Sequence, residues 1–252
     1  MKVVLPHLNN LPEDIVIEIL CNLKYDNLSI VLTNKKLYFS YLDNKKWISK
    51  KIINSYNLIF TDVNNIKYLI KNGSRPGIIT STNLVSSVEK GYLSDFKFLI
   101  KNGANIYADN EFLLWQAARL GHTSIAEFLI ENEVDIHSGS NLALRISVSN
   151  GHTEVVQLLL TKGAGIHMSE NIALMCAISN GHTEIVKLII EYGADIHVYD
   201  DKAVRLASEC GHIEIVKLLI DLGADIHARS DLALRLASEC GHTEIVKLLK
   251  SI

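Results

Sequence analysis

Histidine is the residue type whose number and spacing first indicate chemistry in this 252-residue sequence. Nine of the ten His residues fall into two series that recur every thirty residues. The members of the turn series, each directly after a glycine, are His122, His152, His182, His212 and His242. The members of the loop series, each directly after an isoleucine, are His137, His167, His197 and His227. Imidazole binds zinc and transfers protons near neutral pH, so the two series first indicate a metal array or a proton relay.

The spacing within each series argues against a metal array. Zinc ligands lie about 2 Å from one metal ion, whereas equivalent residues in stacked repeats are separated by roughly a helix diameter, about 8–10 Å. Members of one series therefore cannot share a metal. We expect the turn histidines to hydrogen-bond to backbone groups at helix ends and the loop histidines to do the same, so that both series serve the scaffold.

Other signals of catalysis are also missing from the sequence. It has no Gly-x-Gly-x-x-Gly, no phosphate-binding loop, no Cys-x-x-Cys and no nucleophile elbow. Cys210 and Cys240 are equivalent residues one repeat apart, too far for a disulfide, so we expect free thiols. Cys21 and Cys176 fall on apolar helix faces and are expected to be small buried hydrophobes. We therefore predict a protein that is not an enzyme and needs no cofactor or metal.

Bulk composition bounds the class of protein. Apolar residues make up 48% of the chain and charged residues 21%, which predicts a folded protein with a sizeable core. The formal net charge of −3 gives no global attraction to phosphate backbones, so we expect no nucleic-acid partner. The N-terminus lacks a signal-peptide core, and no apolar run approaches the roughly 20 residues that a membrane helix needs. These features predict an intracellular protein without a membrane partner.

A glycine recurs at the same thirty-residue spacing and indicates the elements that position the histidines. The series comprises Gly91, Gly121, Gly151, Gly181, Gly211 and Gly241. In the unit at 203–225, a short apolar helix precedes the Gly211-His212 turn, and a second helix from Glu214 to Asp221 has one apolar and one polar face. Gly223 then stands where a left-handed residue closes a helix. The spacing predicts a solenoid of helix, turn, helix and loop.

The most regular units resemble the ankyrin repeat. The matching residues are Gly181-His182, Ile185-Val186, Leu188-Ile189 and Gly193-Ala194-Asp195-Ile196. The resemblance implies an all-α, ankyrin-type helix-turn-helix solenoid that binds proteins. Its thirty-residue period is shorter than the usual 33 residues of the family. Because the missing residues fall where the family carries a β-hairpin finger, we expect fingers clipped to tight loops.

The array is predicted to occupy residues 49–252. A degenerate unit of about 49–73, with its second helix at about 62–71, precedes six helix pairs. The first helices of these pairs are expected near residues 80, 110, 140, 170, 200 and 230. The last pair is truncated, and Lys250 replaces the apolar residue of the other units, which gives a terminal repeat with a solvated face. Glu133 replaces the closing glycine, where a left-handed backbone would cost about 1–2 kcal/mol and make a soft joint.

The surface available for recognition consists of positions that differ between otherwise equal repeats. These positions lie just before each glycine and in loops such as 198–200 and 228–230. In the ankyrin family they correspond to the concave binding face, and the predicted target-binding residues are Arg119, Leu120, Ser149, Asn150, Ser179, Asn180, Glu209 and Glu239. Another register comprises Trp115, Arg145, Met175, Arg205 and Arg235. We expect its long side chains to pack along their stems and to keep their heads solvated.

Residues 1–48 lack the thirty-residue period and form a separate predicted helical domain. Leu11-Pro12-Glu13-Asp14 opens a helix with proline in its first turn and acids at its positive end. This segment resembles the F-box, and the matching positions are Leu11, Pro12, Ile15, Ile19, Leu20, Leu23, Leu28, Lys35, Leu37, Leu42, Asp43 and Trp47. The resemblance implies that the first seven of these residues bind a Skp-type adaptor of a cullin-RING ubiquitin ligase.

Two functions follow from these resemblances. An F-box beside an ankyrin array implies a substrate receptor, in which the array selects a target protein and no bond chemistry belongs to the chain. Short arrays rich in Asn, Ile and Lys with such a head are similar to ankyrin proteins of large DNA viruses, for which the ligase and the target would be those of a host cell. The alternative is a non-enzymatic ankyrin scaffold whose N-terminal helices only cap the array.

Overall fold

Helices are the only regular secondary structure in the part of the chain that the structure describes. The computed structural model describes residues 63–71, 79–107, 110–165 and 171–252. None of the helices in these ranges is long and apolar enough to cross a membrane. The chain divides into two units, residues 1–109 and residues 110–252. The predicted all-α, repeat-based fold is confirmed, whereas the separate domain predicted for residues 1–48 lies outside the described residues.

The first unit contains three described helices. They are α1 (Val63–Lys71), α2 (Ser81–Glu89) and α3 (Leu93–Lys101). α2 packs against α3, and Phe96 and Leu99 of α3 are fully buried. The Nζ of Lys67 on α1 lies 2.5 Å from the Oδ1 of Asp95, which ties α1 to the start of α3. α1 matches the second helix predicted for the degenerate unit.

The described residues of the second unit form five helix pairs. Its first helices are α4 (Asn110–Leu120), α6 (Ser138–Ser149), α8 (Ile172–Ser179), α10 (Val198–Cys210) and α12 (Ala228–Glu239). Its second helices are α5 (Thr123–Glu131), α7 (Thr153–Thr161), α9 (Thr183–Glu191), α11 (Ile213–Asp221) and α13 (Thr243–Lys250). Each first helix packs against the next first helix and each second helix against the next second helix, so the unit has two layers. The first helices begin at residues 110, 138, 172, 198 and 228.

Apolar faces at helical spacing hold the layers together. On α11, Ile215, Val216 and Leu219 are fully buried, because these positions share one side of the helix. Glu214 and Lys217 lie on the exposed side, where their charged groups are 2.9 Å apart. Burying one such aliphatic side chain contributes roughly 1.5–3 kcal/mol, against about 0.2–1 kcal/mol for an exposed ion pair. Apolar packing therefore stacks the repeats.

In the second unit, each second helix that leads into another repeat is closed by a residue with left-handed backbone. These residues are Glu133, Gly163, Gly193 and Gly223, with φ angles between 62° and 96°. The N–H of Gly223 donates to the carbonyl oxygen of Ile220, and the N–H of Ala224 donates to that of Leu219. These bonds satisfy carbonyls that lack a partner within the helix. Glu133 keeps the left-handed conformation of the glycines that it replaces, with a φ of 62°.

Three of the described loops between repeats contain a short left-handed turn. Three consecutive residues with φ between 53° and 59° occupy 139–141, 199–201 and 229–231. The described residues contain no strand, so the prediction that the fingers are clipped to tight loops is confirmed. Left-handed backbone costs about 1–2 kcal/mol for most residues that carry a side chain. Each turn therefore needs compensating contacts.

The last residue of each turn supplies some of these contacts through a side-chain oxygen. The Oδ1 of Asp201 lies 2.8 Å from the Nδ1 of His197 and accepts the backbone N–H of Asp225, in the next repeat, at 3.1 Å. Asn141 makes the same contacts with His137 and with the following loop. The expectation that the loop histidines bond to backbone groups was wrong for these rings. The left-handed turn brings the side chain four residues later within reach of the ring instead.

Arg205 closes the same turn from the helix that follows it. Its Nε donates to the carbonyl oxygen of Asp200 at 3.2 Å, and its Nη2 donates to that of Tyr199 at 2.5 Å. Arg205 is only 9% exposed. The solvated head expected at this position was therefore wrong for Arg205, because its guanidinium satisfies carbonyls that the turn leaves unpaired. At the equivalent position of the last repeat, Arg235 is exposed.

The helix α13 has a buried and an exposed side. Lys250 is exposed, whereas Ile245 and Leu249 on the same helix are buried. The charged residue at position 250 reduces the apolar surface of α13.

Replacing Glu133 by Gly is expected to stabilise the second unit by about 0.5–1 kcal/mol. Glycine removes a left-handed strain of about 1–2 kcal/mol but adds roughly 0.5–1 kcal/mol of backbone entropy to the unfolded chain. The matched reverse change, Gly193→Glu, should destabilise by a similar amount, because no atom within 4 Å obstructs a side chain there. Urea unfolding followed by circular dichroism measures both. Shifts of the same sign in the two variants would contradict the left-handed role of this position.

Candidate functional site

The turn histidines join each repeat to the one before it. The Nε2–H of His152 donates to the carbonyl oxygen of Arg119, 33 residues earlier, at 2.9 Å. The same bond runs from His182 to Ser149, from His212 to Ser179 and from His242 to Glu209, at 2.9–3.3 Å. Each acceptor lies in the last two residues of a first helix, where carbonyls lack partners within the helix. The prediction that the turn histidines bond to backbone at helix ends is confirmed for His152, His182, His212 and His242.

The glycines of the turns leave room for the ring of the next histidine. A Cβ added at Gly121, Gly151, Gly181 or Gly211 would come within 2.5–2.8 Å of that ring, which real side chains do not tolerate. These four residues also have φ angles of 73–80°, a conformation that favours glycine. Gly241, in the last repeat, has a φ of 78° but no neighbour within 4 Å. The internal turns therefore need glycine both for backbone conformation and for packing.

The residues before each glycine form a surface on which backbone and side chain have different roles. We call it the pre-glycine surface, and it comprises residues 119–120, 149–150, 179–180, 209–210 and 239–240. In four of these pairs the carbonyl of the first residue accepts the histidine bond. The side chains of the first residues Arg119, Ser149, Ser179, Glu209 and Glu239 are exposed. The fold uses the carbonyls and leaves these side chains exposed, although the Nε of Arg119 donates to the Oε1 of Gln116 at 3.2 Å.

The second residue of each pair is tied more closely to the scaffold. Leu120 is half-buried. The Nδ2–H of Asn150 donates to the carbonyl oxygen of Ile146 at 2.8 Å, and Asn180 makes the same bond to Cys176. Each of these carbonyls also accepts the backbone N–H of the same asparagine, so the amide adds a second bond at the helix end and part of its hydrogen-bonding capacity serves the fold. Of the predicted target-binding residues, the first member of each pair is therefore the better candidate.

The cysteines on and near this surface are not poised for nucleophilic chemistry. Cys210 and Cys240 are free thiols, as predicted. Burial, the carboxylate of Glu209 and the neighbouring Cys240 raise the pKa of the Cys210 thiol, which keeps it protonated at neutral pH. Cys176 is half-buried, so the expectation of a fully buried side chain was wrong. It falls at the edge of the buried face of α8, which is formed by its alanines and by Leu174 and Ile178.

A second group of exposed side chains lies at the left-handed turns. Tyr199 is 47% exposed, and the Nζ of Lys202 lies 5.8 Å from the centre of its ring. The Nε of Arg229 donates to the Oδ2 of Asp200 at 2.9 Å, which links two consecutive loops. The sequence predicts that these loops are variable, but it does not predict the ion pair. Its partners are 29 residues apart, and only the stacking of repeats brings them together.

Comparison with protein families identifies the class of this scaffold. A family profile described as Ankyrin repeats (3 copies) matches residues 84–170, 114–200, 144–230 and 174–251, which together span two thirds of the chain. The chain belongs to the ankyrin-repeat family. A search of curated proteins found no match.

The ankyrin repeats make this chain a protein–protein interaction module. Ankyrin repeats mediate protein binding and are typically non-enzymatic. The predicted adaptor-binding residues are Leu11, Pro12, Ile15, Ile19, Leu20, Leu23 and Leu28. They lie outside the described residues, and their role stays a prediction.

Replacing Gly181 by Ala is expected to destabilise the ankyrin array by about 2–5 kcal/mol, because left-handed strain adds to a clash with the ring of His212. Gly241→Ala is the matched control, since Gly241 has a similar φ and no neighbour. It should cost only the strain, about 1–2 kcal/mol. The midpoint of urea unfolding reports both changes. Equal destabilisation by the two variants would show that the histidine ring does not pack on Gly181.

Proposed function

We propose that the chain is a substrate receptor of a cullin-RING ubiquitin ligase. Its N-terminal segment docks a Skp-type adaptor, and its ankyrin array holds a target protein. Ubiquitin transfer belongs to other subunits, so the chain contributes binding and placement. If the chain is viral, as its resemblance to ankyrin proteins of large DNA viruses implies, both the ligase and the target are proteins of the host cell.

The division of roles on the pre-glycine surface is the observation that carries target binding. At Arg119, Ser149, Ser179 and Glu209 the fold needs the carbonyl oxygen and not the side chain. The side chains are exposed and change along the array from arginine to serine to glutamate. A rigid row of side chains that the fold does not specify is suited to select a protein partner.

The adaptor half of the proposal rests on the N-terminal sequence. Leu11-Pro12 opens a helix pattern in which Ile15, Ile19 and Leu23 share one side at i, i+4 spacing. An apolar helix face of this kind can lie in a groove of a partner. Its match to the F-box supports a Skp-type adaptor as that partner.

The alternative function is a plain ankyrin scaffold whose N-terminal helices cap the array. Apolar residues on the N-terminal helices would then pack on the first repeat and leave nothing for an adaptor. Both functions use the pre-glycine surface to hold a partner, so adaptor binding is the property that separates them.

Two double variants test the proposal through opposite effects. Leu11→Asp with Pro12→Ala should abolish capture by an immobilised, purified Skp-type adaptor, because it puts a charge on the apolar face and removes the proline entry. Ser149→Arg with Ser179→Arg should leave adaptor binding unchanged, because it adds bulk to exposed side chains and spares the carbonyl bonds. Target proteins captured from a lysate should be lost in the second variant and kept in the first.

Circular dichroism must show that both variants keep the helical content of the wild type. Failure of the folded wild type to bind the adaptor, or undiminished binding by the first variant, overturns the receptor function and leaves the scaffold. Target capture that survives the Ser149 and Ser179 changes overturns the assignment of the binding surface.

A further inference from the structure

The exposed side chains of the pre-glycine surface change sign along the second unit. The first repeat presents the cation Arg119, the next two present neutral Ser149 and Ser179, and the last two present Glu209 and Glu239. All five side chains are exposed and stand in one register of the stacked first helices. The surface therefore has a positive end, a neutral middle and a negative end.

The negative end lies in a unit with excess negative charge. Residues 110–252 contain 11 Lys or Arg and 19 Asp or Glu, a formal net charge of −8. Such an excess repels acidic partners and attracts basic ones over distances up to about a Debye length of 8–10 Å. The charge of the unit and the charge of the surface thus favour the same class of partner.

Nearby cations are mostly engaged elsewhere. Arg205, one turn before Glu209, is buried and donates to carbonyl oxygens of the left-handed turn. Arg229 pairs with Asp200. Among the described residues, no Lys, Arg or His lies within ion-pair distance of the carboxylate of Glu209 or Glu239. Arg235 is exposed one turn before Glu239 and adds a positive charge beside this end of the surface.

We propose that the negative end of the pre-glycine surface recognises a basic segment of the target protein. The spacing of neighbouring first helices places the two carboxylates about 10 Å apart. In an extended segment, which rises about 3.3 Å per residue, Lys or Arg side chains three residues apart match that spacing. This inference rests on the proposed use of the pre-glycine surface for target binding. It adds the charge of the partner and the orientation of its basic end.

The pairing of charges sets specificity more than total affinity. An exposed ion pair is weak in water, so the two carboxylates mainly exclude acidic partners and speed the encounter with basic ones. Reversing both charges replaces two attractions with two repulsions, which corresponds to about a tenfold change in Kd. Binding should also weaken as salt is added.

A peptide with lysine at every third position in a Gly and Ser background is the probe. Its fluorescein-labelled form is titrated with the full chain, and binding is followed by fluorescence anisotropy. The wild type should bind this peptide and not a matched peptide with glutamate in place of lysine. Glu209→Lys with Glu239→Lys should weaken binding about tenfold.

Glu131→Lys with Glu191→Lys is the matched control. It makes the same change in net charge at exposed residues that end second helices, where lysine is favourable. It should weaken binding by less than about threefold, because only long-range attraction is reduced. Arg235→Ser should strengthen binding about twofold, because it removes a cation that repels the lysines of the peptide beside Glu239.

If the Glu209 and Glu239 variant and its control lose peptide binding to the same extent, bulk charge alone explains the loss and the proposed site is wrong. Absence of binding by the wild type, or equal binding of the glutamate peptide, overturns the basic partner. If the Ser149 and Ser179 changes still abolish target capture in such an outcome, the proposed function stands and only the charge of the partner is wrong. If target capture is unaffected by the Ser149 and Ser179 changes, the proposed function is overturned independently of the peptide result.

Discussion

The hydrogen bond from a turn histidine to a carbonyl 33 residues earlier is the interaction on which the array depends. It spans two repeats, occupies a carbonyl that the first helix cannot satisfy itself, and holds the imidazole ring against a glycine. Apolar packing supplies most of the stability, but apolar side chains alone do not fix how one repeat is placed on the next. The ring and the glycine fix that placement, because any Cβ at Gly121, Gly151, Gly181 or Gly211 would meet the ring.

The same hydrogen bond separates the backbone groups that hold the scaffold together from the side chains that are exposed for recognition. Since the residue that accepts the bond contributes only its carbonyl, its side chain can change from Arg119 to Ser149 to Glu209 without loss of the bond. The loops follow another rule, because their left-handed turns use side chains: Asp201 joins two loops and Arg205 satisfies carbonyls. Residues whose side chains vary along the array therefore stand before the glycines, and we propose that their charges, positive at one end and negative at the other, distinguish partners.

Much of the fold could be predicted from the sequence, because the thirty-residue period marks helices, turns and closing residues directly. The left-handed Glu133 and the backbone role of the turn histidines followed from the glycine positions and the repeat. The partners of the loop histidines, the buried head of Arg205 and the ion pair of Arg229 with Asp200 could not be predicted. Each depends on the direction of a left-handed turn or on contacts between repeats, which periodicity does not contain. The residues of the pre-glycine surface were predicted, but the caps made by Asn150 and Asn180 were not.

Observation of the imidazole N–H protons by NMR tests the hydrogen bonds of the turn histidines most directly. An exposed imidazole N–H exchanges with water too fast to be seen at neutral pH, whereas one bonded to a carbonyl exchanges slowly. In the full chain labelled with ¹⁵N-histidine, His152, His182, His212 and His242 should each show an Nε2–H resonance that persists at neutral pH. Each resonance is assigned by its loss in the matching His→Gln variant. Absence of these resonances in the folded chain, or their assignment to the loop histidines instead, would contradict the hydrogen bonds between the turn histidines and the helix-end carbonyls.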